Sequence, residues 1–339
     1  HWERRETQQF SGALKIIVEN NGLTAINVIG VEDYLLSVIS SEMNQNSPEE
    51  FLKAHAVISR SWVMAQLAHQ GKIACDAAER ESFLKCRNIE EVVTWLAMHR
   101  HSVGNKSNVP EAPSGETEYI RWYDRSDHRN FDVCADDHCQ RYQGLTRATE
   151  TSVQKAIDAT WGQVLTFGGE LCDARFSKCC GGTTELFSTC WASDDKAYLP
   201  ALPDTPGHLP LDTANADVTI VVPFCSLADS PLLARVFNSY DRETTDFYRW
   251  TQVYELRELS ALVREKSGVD IGELTALEPL AKGASGRIFR LRVVGTKNSF
   301  IVGKELEIRR ILSPSHLRSS AFDAEFTSDG RVILRGLGW

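Results

Sequence analysis

A chain of 339 residues with 42% apolar side chains can bury one large core or two ordinary ones. Its formal net charge of −9 excludes a broad basic face for a nucleic-acid backbone, and no apolar run is long enough to span a bilayer. Nine cysteines in short clusters point to metal or redox chemistry in a reducing compartment and to disulfides in an exported chain.

No signal peptide opens the sequence, and a start at His1 reads as a mature or trimmed fragment. Alternating residues from Ala13 to Glu19, the turn signal Asn20-Asn21-Gly22 and the run Leu23 to Ile29 predict a β-hairpin. Tyr34, Leu35, Val38 and Ile39 then recur at helical spacing until Ser41-Glu42-Met43 breaks the pattern. A second helix is signalled by Ser47 as N-cap, Pro48 at the first helical position and Glu50 closing a capping box. Phe51, Ala54, Val57, Ile58, Ser61, Trp62 and Ala65 form its apolar stripe. Glu42 falls where the first helix gives out, beside Ile39, Met43 and the small-residue face of the second. Apolar walls favour the protonated carboxyl that a general acid needs near neutral pH; in open solvent the same residue is an ordinary loop glutamate.

Between 71 and 110, Ile89, Val92, Val93, Leu96 and Ala97 predict a helix, and Cys75 with Cys86 either staple its entry or stay as thiols. Pro110 to Thr117 reads as loop. Residues 125–145 carry His128, Cys134, His138 and Cys139 as H-x5-C-x3-H-C, the nitrogen and sulfur set that selects zinc. Adjacent His138 and Cys139 cannot both ligate from a regular element, so an irregular loop clamped by the metal is predicted. A Cys134–Cys139 disulfide, or thiols beside surface histidines, is the other reading. Four protein ligands make such a zinc structural; three, without His128, leave a position for water or substrate.

Ser152 to Thr160 predicts a helix with Val153, Ala156 and Ile157 inward. Trp161 to Phe167 and Leu171 to Phe176 predict strands joined by a Gly168-Gly169 turn. In the loop that follows, Cys179 or Cys180 with Cys190 or Cys172 would make a tie after export, and Cys225 stands alone; no C-x-x-C redox spacing is present. Leu202 to Pro210 is a proline-rich connection, and Val218 to Pro223 and Phe247 to Val253 are strand-like. Leu256 to Lys266 predicts a helix ending at Gly268, with another beginning near Ile271. Ser285 to Gly295 alternates as a solvent-edged strand that Lys297-Asn298 turns into Phe300 to Val302. Asp323 to Phe326 and Val332 to Arg335 predict a last hairpin around Ser328-Asp329-Gly330.

The run from Tyr34 through Glu42 to Leu52, Lys53, Ala54, Ala56, Val57, Arg60 and Trp62 resembles the signature of the SpoIID/LytB family, Y-L-x-x-V-x-x-S-E-M followed by a-L-K-A-Q-A-v-a-A-R-T-Y. Glu42 matches the family's catalytic glutamate, while His55, Ser61 and Trp62 replace the usual Gln, Thr and Tyr. Cys134 to Tyr142 resembles the family's C-x-x-x-H-C-Q-x-Y, which binds zinc in some members. Gly181 and Gly182 match its glycine pair, where backbone could approach a polymer, but Lys178, Cys179 and Cys180 replace small hydroxylated residues. Trp191 and Ala197-Tyr198-Leu199 match W…p-Y-L; Tyr198 is the candidate to stack on a sugar, and Trp191 reads as a packing aromatic. Glu307 to Leu312 and Leu317 to Phe322 resemble f-R-x-x-L…L-x-S-t-x-F. Relatives run on through G-x-G-W-G-H-G-V-G-M-S-Q-W-G-A where this sequence stops at Trp339, so that tail is expected to be missing.

The resemblance implies an α+β fold, helices packed on antiparallel β-sheets, in two lobes with a cleft between them. Residues 1–202 would be the catalytic core, with Glu42, the zinc loop and an insertion at about 71–124, and 203–339 the second lobe. The implied activity is that of a peptidoglycan lytic transglycosylase, cutting the MurNAc-β-1,4-GlcNAc bond of glycan strands to leave 1,6-anhydroMurNAc, with Glu42 as acid and then base. Arg60, Gly181, Gly182 and Tyr198 are the expected substrate contacts, and zinc on His128, Cys134, His138 and Cys139 the cofactor. The LytB relatives imply an alternative, a noncatalytic wall-binding enhancer of a cell-wall amidase. A third reading, a zinc hydrolase on the stem peptide, requires an open metal position. A two-carboxylate glycosidase is disfavoured, because Glu32, Asp33 and Glu49 belong to helix starts, where acids suit the macrodipole. The implied place is the bacterial envelope after export, in sporulation-related work, with any anchor ahead of His1.

Overall fold

The computed structural model describes residues 7–19, 21–70, 117–121, 128–136, 138–146, 148, 150–192, 194–205, 223–226, 231–238 and 246–339. The helix expected at 89–97, the Cys75–Cys86 pair, the loop at 110–116 and the strand at 218–222 lie outside the described residues. In chain order the elements are β1 (Ala13–Glu19), β2 (Gly22–Val28), α1 (Val31–Glu42), α2 (Glu49–His69), β3 (Glu118–Ile120), α3 (Thr151–Ala159), β4 (Thr166–Phe167) and β5 (Glu170–Leu171). After them come α4 (Phe187–Cys190), α5 (Pro231–Val236), β6 (Arg249–Glu255), α6 (Leu256–Ser267), β7 (Leu274–Lys282), β8 (Ile288–Gly295), β9 (Ser299–Gly303), α7 (Glu305–Ile311), β10 (Phe322–Phe326) and β11 (Arg331–Leu337). The fold is α+β. Two compact units divide it, the described residues within 1–107, 125–176 and 231–243 forming the first and those within 108–124, 177–230 and 244–339 the second.

In the first unit, β1 and β2 form the predicted hairpin in register Ala13↔Val28 to Glu19↔Gly22, with Asn21 at φ +62° in the turn. α1, α2 and α3 pack around Leu35, Val38, Ile39, Leu52, Ala56, Val153, Ala156 and Ile157, all fully buried. Helical spacing in α1 and α3 placed these residues inward as expected. α2 departs from its expected outline. It begins at Glu49, one residue later than the cap signal implied, and no side chain caps it. Ser47 instead donates its hydroxyl to Asn44 O at 2.6 Å. Ser61 and Trp62 of the expected stripe are buried, but so are Leu52, His55, Ala56, Ser59, Arg60, Val63 and Leu67, while Ala54 is exposed. Polar residues, among them Arg60 with its internal partners Glu32 and Gln163 O, share the buried face, so the apolar count alone drew the stripe partly out of phase.

In the second unit, β3, β9, β8 and β7 form a four-stranded sheet in that order, with β3 parallel to β9 and the remaining pairs antiparallel. β3 lies inside the stretch read as an insertion. β10, β11 and β6 form a second, antiparallel sheet. Its core includes Leu259, Val263, Ile271, Ile288, Leu291, Val332 and Leu334. α6 ends on Gly268 at φ +75°, whose N–H bonds Arg264 O at 2.9 Å, as the sequence signalled. The helix expected near Ile271 is the strand β7. Pro279 sits in it without breaking the sheet because β7 is an edge strand. β8, read as solvent-edged, is central, with Ile288, Leu291 and Val293 buried.

Candidate functional site

Glu42 is the last residue of α1. Beyond it Met43 is extended and bridges Phe237, Asn44 N–H bonds Val236 O at 2.8 Å, and the Asn238 side-chain amide donates to Ser41 O at 3.0 Å. The segment after α5 therefore pins the end of α1 and, with it, the root of the glutamate side chain. The carboxylate is 14% exposed and its two oxygens differ. Oε1 accepts the backbone N–H of Arg141 at 3.1 Å. Oε2 lies 3.2 Å from His55 Nε2, but off-line, so both of these buried atoms lack a hydrogen bond among the described residues. Phe51 stacks on the His55 ring at 6.3 Å between centroids and Phe176 meets it edge-on at 5.4 Å, which fixes the imidazole against the carboxylate.

The segment that supplies Arg141 is the loop singled out by its cysteines and histidines. One donor atom from each of His128, Cys134, His138 and Cys139 lies within 4.8 Å of all the others. His128 Nε2 is 3.3 Å from Cys139 Sγ, and His138 Nδ1 is 3.7 Å from Cys139 Sγ and 3.9 Å from Cys134 Sγ. Ligands bound tetrahedrally at zinc distances stand roughly 3.5 Å apart for a nitrogen and sulfur pair, so this donor set fits that ion. Neither Cys134 nor Cys139 takes part in a disulfide. The loop is irregular, as its adjacent His138 and Cys139 require, and closes through Cys139 N–H to Asp136 O and Tyr142 N–H to Ala135 O. Directly after Cys139, buried Gln140 accepts from the Tyr34 hydroxyl at 3.1 Å and donates to Ser59 O at 3.4 Å, and the next residue donates to Glu42. Three consecutive residues thus join the metal-type loop, both long helices and the carboxylate.

A family model described as stage II sporulation protein matches residues 19–167, the span that holds Glu42 and this loop. Those residues are similar to the SpoIID family. A second model, a domain of unknown function (DUF8618), matches residues 185–339. An uncharacterized protein of Brachyspira hyodysenteriae is 23% identical over 177 residues, which are 52% of this chain and 33% of that protein. The chain thus spans about a third of the length of the curated relative it matches. No helix among the described residues is long and apolar enough to cross a membrane.

Within the SpoIID domain, Arg60 is not placed to touch a substrate. Its side chain is 0% exposed and forms a two-pronged pair with Glu32, Nε to Oε1 at 2.8 Å and Nη2 to Oε2 at 2.6 Å, while Nη1 donates to Gln163 O at 3.0 Å. Glu32, read as a helix-start acid, is its partner. Gly181, Gly182 and Tyr198 lie in the second unit. Gly181 has φ +81°, and a Cβ there would meet Leu337 Cδ1 at 2.6 Å and Gly338 N at 2.9 Å. The absent side chain makes room for this chain's own C-terminal strand, in place of the polymer expected there. Tyr198 is half-buried, and Trp191, read as a packing aromatic, is 45% exposed. Sequence reasoning missed Arg141 and Asn238, and noticed His55 only as a departure from the family's Gln.

Proposed function

We propose that the SpoIID domain is a lytic transglycosylase acting on peptidoglycan glycan strands, with Glu42 as its acid and base. The observation that supports this reading is the enclosed Glu42 carboxylate, one oxygen tied to the Arg141 amide and the other set against His55. With Oε2 shut off from solvent, Oε1 is the oxygen that would meet the glycosidic oxygen between MurNAc and GlcNAc. The carboxyl gives its proton to that oxygen as the bond breaks. The resulting carboxylate, stabilised by the Arg141 N–H, then takes the proton of the muramyl 6-OH while that oxygen closes on the anomeric carbon. The product carries a 1,6-anhydro ring, and no water is consumed. Glu32 is committed to Arg60, and Glu49 to Lys53 at 2.6 Å, so neither serves as the second carboxylate of a hydrolase.

His128, Cys134, His138 and Cys139 would hold zinc. With four protein ligands the ion has no open position and supplies a clamp on the loop. The residues it clamps do the chemical work: Gln140 fixes the loop to α1 and α2, and Arg141 presents its amide to Glu42.

The test is product analysis on purified glycan strands. The unmodified protein is expected to release 1,6-anhydromuramyl ends, and Glu42→Gln, which keeps an acceptor for the Arg141 amide, to lose about 10²–10⁴-fold in rate while remaining folded. Release by the variant at the parent rate would remove Glu42 from the mechanism. No anhydro product from the parent, with stimulation of a wall amidase added in trans, would establish the enhancer reading instead.

A further inference from the structure

The second unit holds a cluster that the site around Glu42 does not use. Cys180 Sγ, Cys225 Sγ and one carboxylate oxygen of Asp204 all lie within 4.8 Å of one another. The two sulfurs are 3.5 Å apart, well outside disulfide bonding distance and near the roughly 3.8 Å edge that two thiolates make around tetrahedral zinc. The three residues come from three segments that the backbone brings to one point. Asp204 N–H bonds Gly182 O, Phe224 N–H bonds Asp204 O, and Thr183 bridges Pro203. Two further bonds aim the donors, the Gly182 N–H reaching Cys180 Sγ at 3.4 Å and the Cys225 N–H reaching Asp204 Oδ2 at 2.8 Å. Cys180 stands where the SpoIID pattern has a small hydroxylated residue, and Cys225 was read as solitary; the fold places them together.

We propose that Cys180, Cys225 and Asp204 form a second metal site, for a thiophilic divalent cation of the zinc class. Two soft sulfurs with one hard oxygen favour zinc over magnesium or calcium, which take all-oxygen shells. On binding, the two thiols release their protons to solvent and the two thiolates and the carboxylate enclose the cation, leaving a fourth position for water. The site ties the loop at 179–182 to Asp204 and to the turn at 223–226, the function that the sequence suggested for disulfides from Cys179 or Cys180 to Cys190 or Cys172. Those pairings are not formed, and none of Cys172, Cys179, Cys180, Cys190 and Cys225 takes part in a disulfide.

The experiment is elemental analysis of the full chain after loading with zinc and gel filtration, for the parent and for Cys180→Ser/Cys225→Ser. The expected reading is one zinc per chain fewer in the double variant, whatever the occupancy of the 128–139 loop; that loop is scored separately with His138→Ala. Equal zinc in the parent and the double variant would overturn the site. So would peptide mapping that finds a Cys180–Cys225 disulfide in the metal-free parent as isolated. Asp204→Asn keeps an acceptor for the Cys225 amide and guards against misfolding as the explanation. It is expected to weaken zinc in chelator competition by about 10-fold or more, and unchanged affinity would strike Asp204 from the ligand set.

Discussion

His55 Nε2 stands 3.2 Å from Glu42 Oε2 with both atoms buried and not aligned for a hydrogen bond, so the imidazole acts as a shaped wall for the carboxylate. Phe51 and Phe176 hold that wall in place. His55→Gln, which installs the residue usual in the family, presents an amide at the same depth and should keep the rate of anhydromuramyl release within severalfold. His55→Ala removes the ring between two aromatics and frees the carboxylate to swing. A misplacement on the order of 1 Å can cost about 10²-fold, and the loss should fall on kcat. Initial rates of product release across glycan concentrations separate the two variants.

Arg60 and Glu32 form a buried ion pair, and removing one partner leaves a charge without compensation. Arg60→Ala should destabilise the first unit by about 3–5 kcal/mol. Arg60→Lys should recover only part of this, because an ammonium cannot make the two-pronged contact with Glu32 and also reach Gln163 O. Denaturant midpoints measure the effect. Glycan affinity of the folded protein should not change, whereas a substrate-contacting arginine would lower it.

Tyr34 and Tyr142 stack at 5.2 Å beneath the hairpin and the metal-type loop, and both hydroxyls are committed, Tyr34 to Gln140 and Tyr142 to Asn27. Burial, with the nearby Glu42 charge, holds the Tyr34 phenol well above its usual value; burial, with Asp33, pushes Tyr142 up to about 12. The folded state therefore keeps protons that the unfolded chain loses near 10.0. Stability carried by these phenols is complete below that pH and drains away as pH rises toward about 12. Unfolding free energies between pH 8 and 12 should fall in the upper half of that range, and Tyr142→Phe should flatten the slope.

The parts legible in the sequence were those whose signals are local. The first hairpin, α1, α3, α6 with its Gly268 stop and the last hairpin each combine one clean period with turn chemistry at the ends. β7 was misread because register shifts near Ala276, Pro279 and Ala281 break its alternation. β3 is three residues long and finds its parallel partner β9 far along the chain. Within the candidate site, the four zinc-type donors stood out by type and spacing, whereas Glu42 stood out only through its likeness to the family signature. Arg141 and Asn238 did not, since their bonds to the end of α1 span 99 and 197 residues and use a backbone amide and a side-chain amide that mark no motif.

The loop of His128, Cys134, His138 and Cys139 passes directly into Gln140 and Arg141, so the order of the loop proposed to hold zinc and the geometry of Glu42 are mechanically linked. Zinc removal should free the loop ends, loosen the Gln140 contacts with Tyr34 and Ser59 and withdraw the amide from Glu42 Oε1. The expected outcome is a lower melting temperature of the first unit together with a roughly 10–100-fold loss in anhydromuramyl release, reversed on zinc return. Gln140→Ala separates the two ends of this chain of contacts: zinc should remain bound while the rate falls, because the tie between loop and helices is cut downstream of the ligands. Zinc analysis and product release on the same samples check both statements. A chelated protein confirmed zinc-free that kept the parent rate would show that the amide of Arg141 holds its place without the metal.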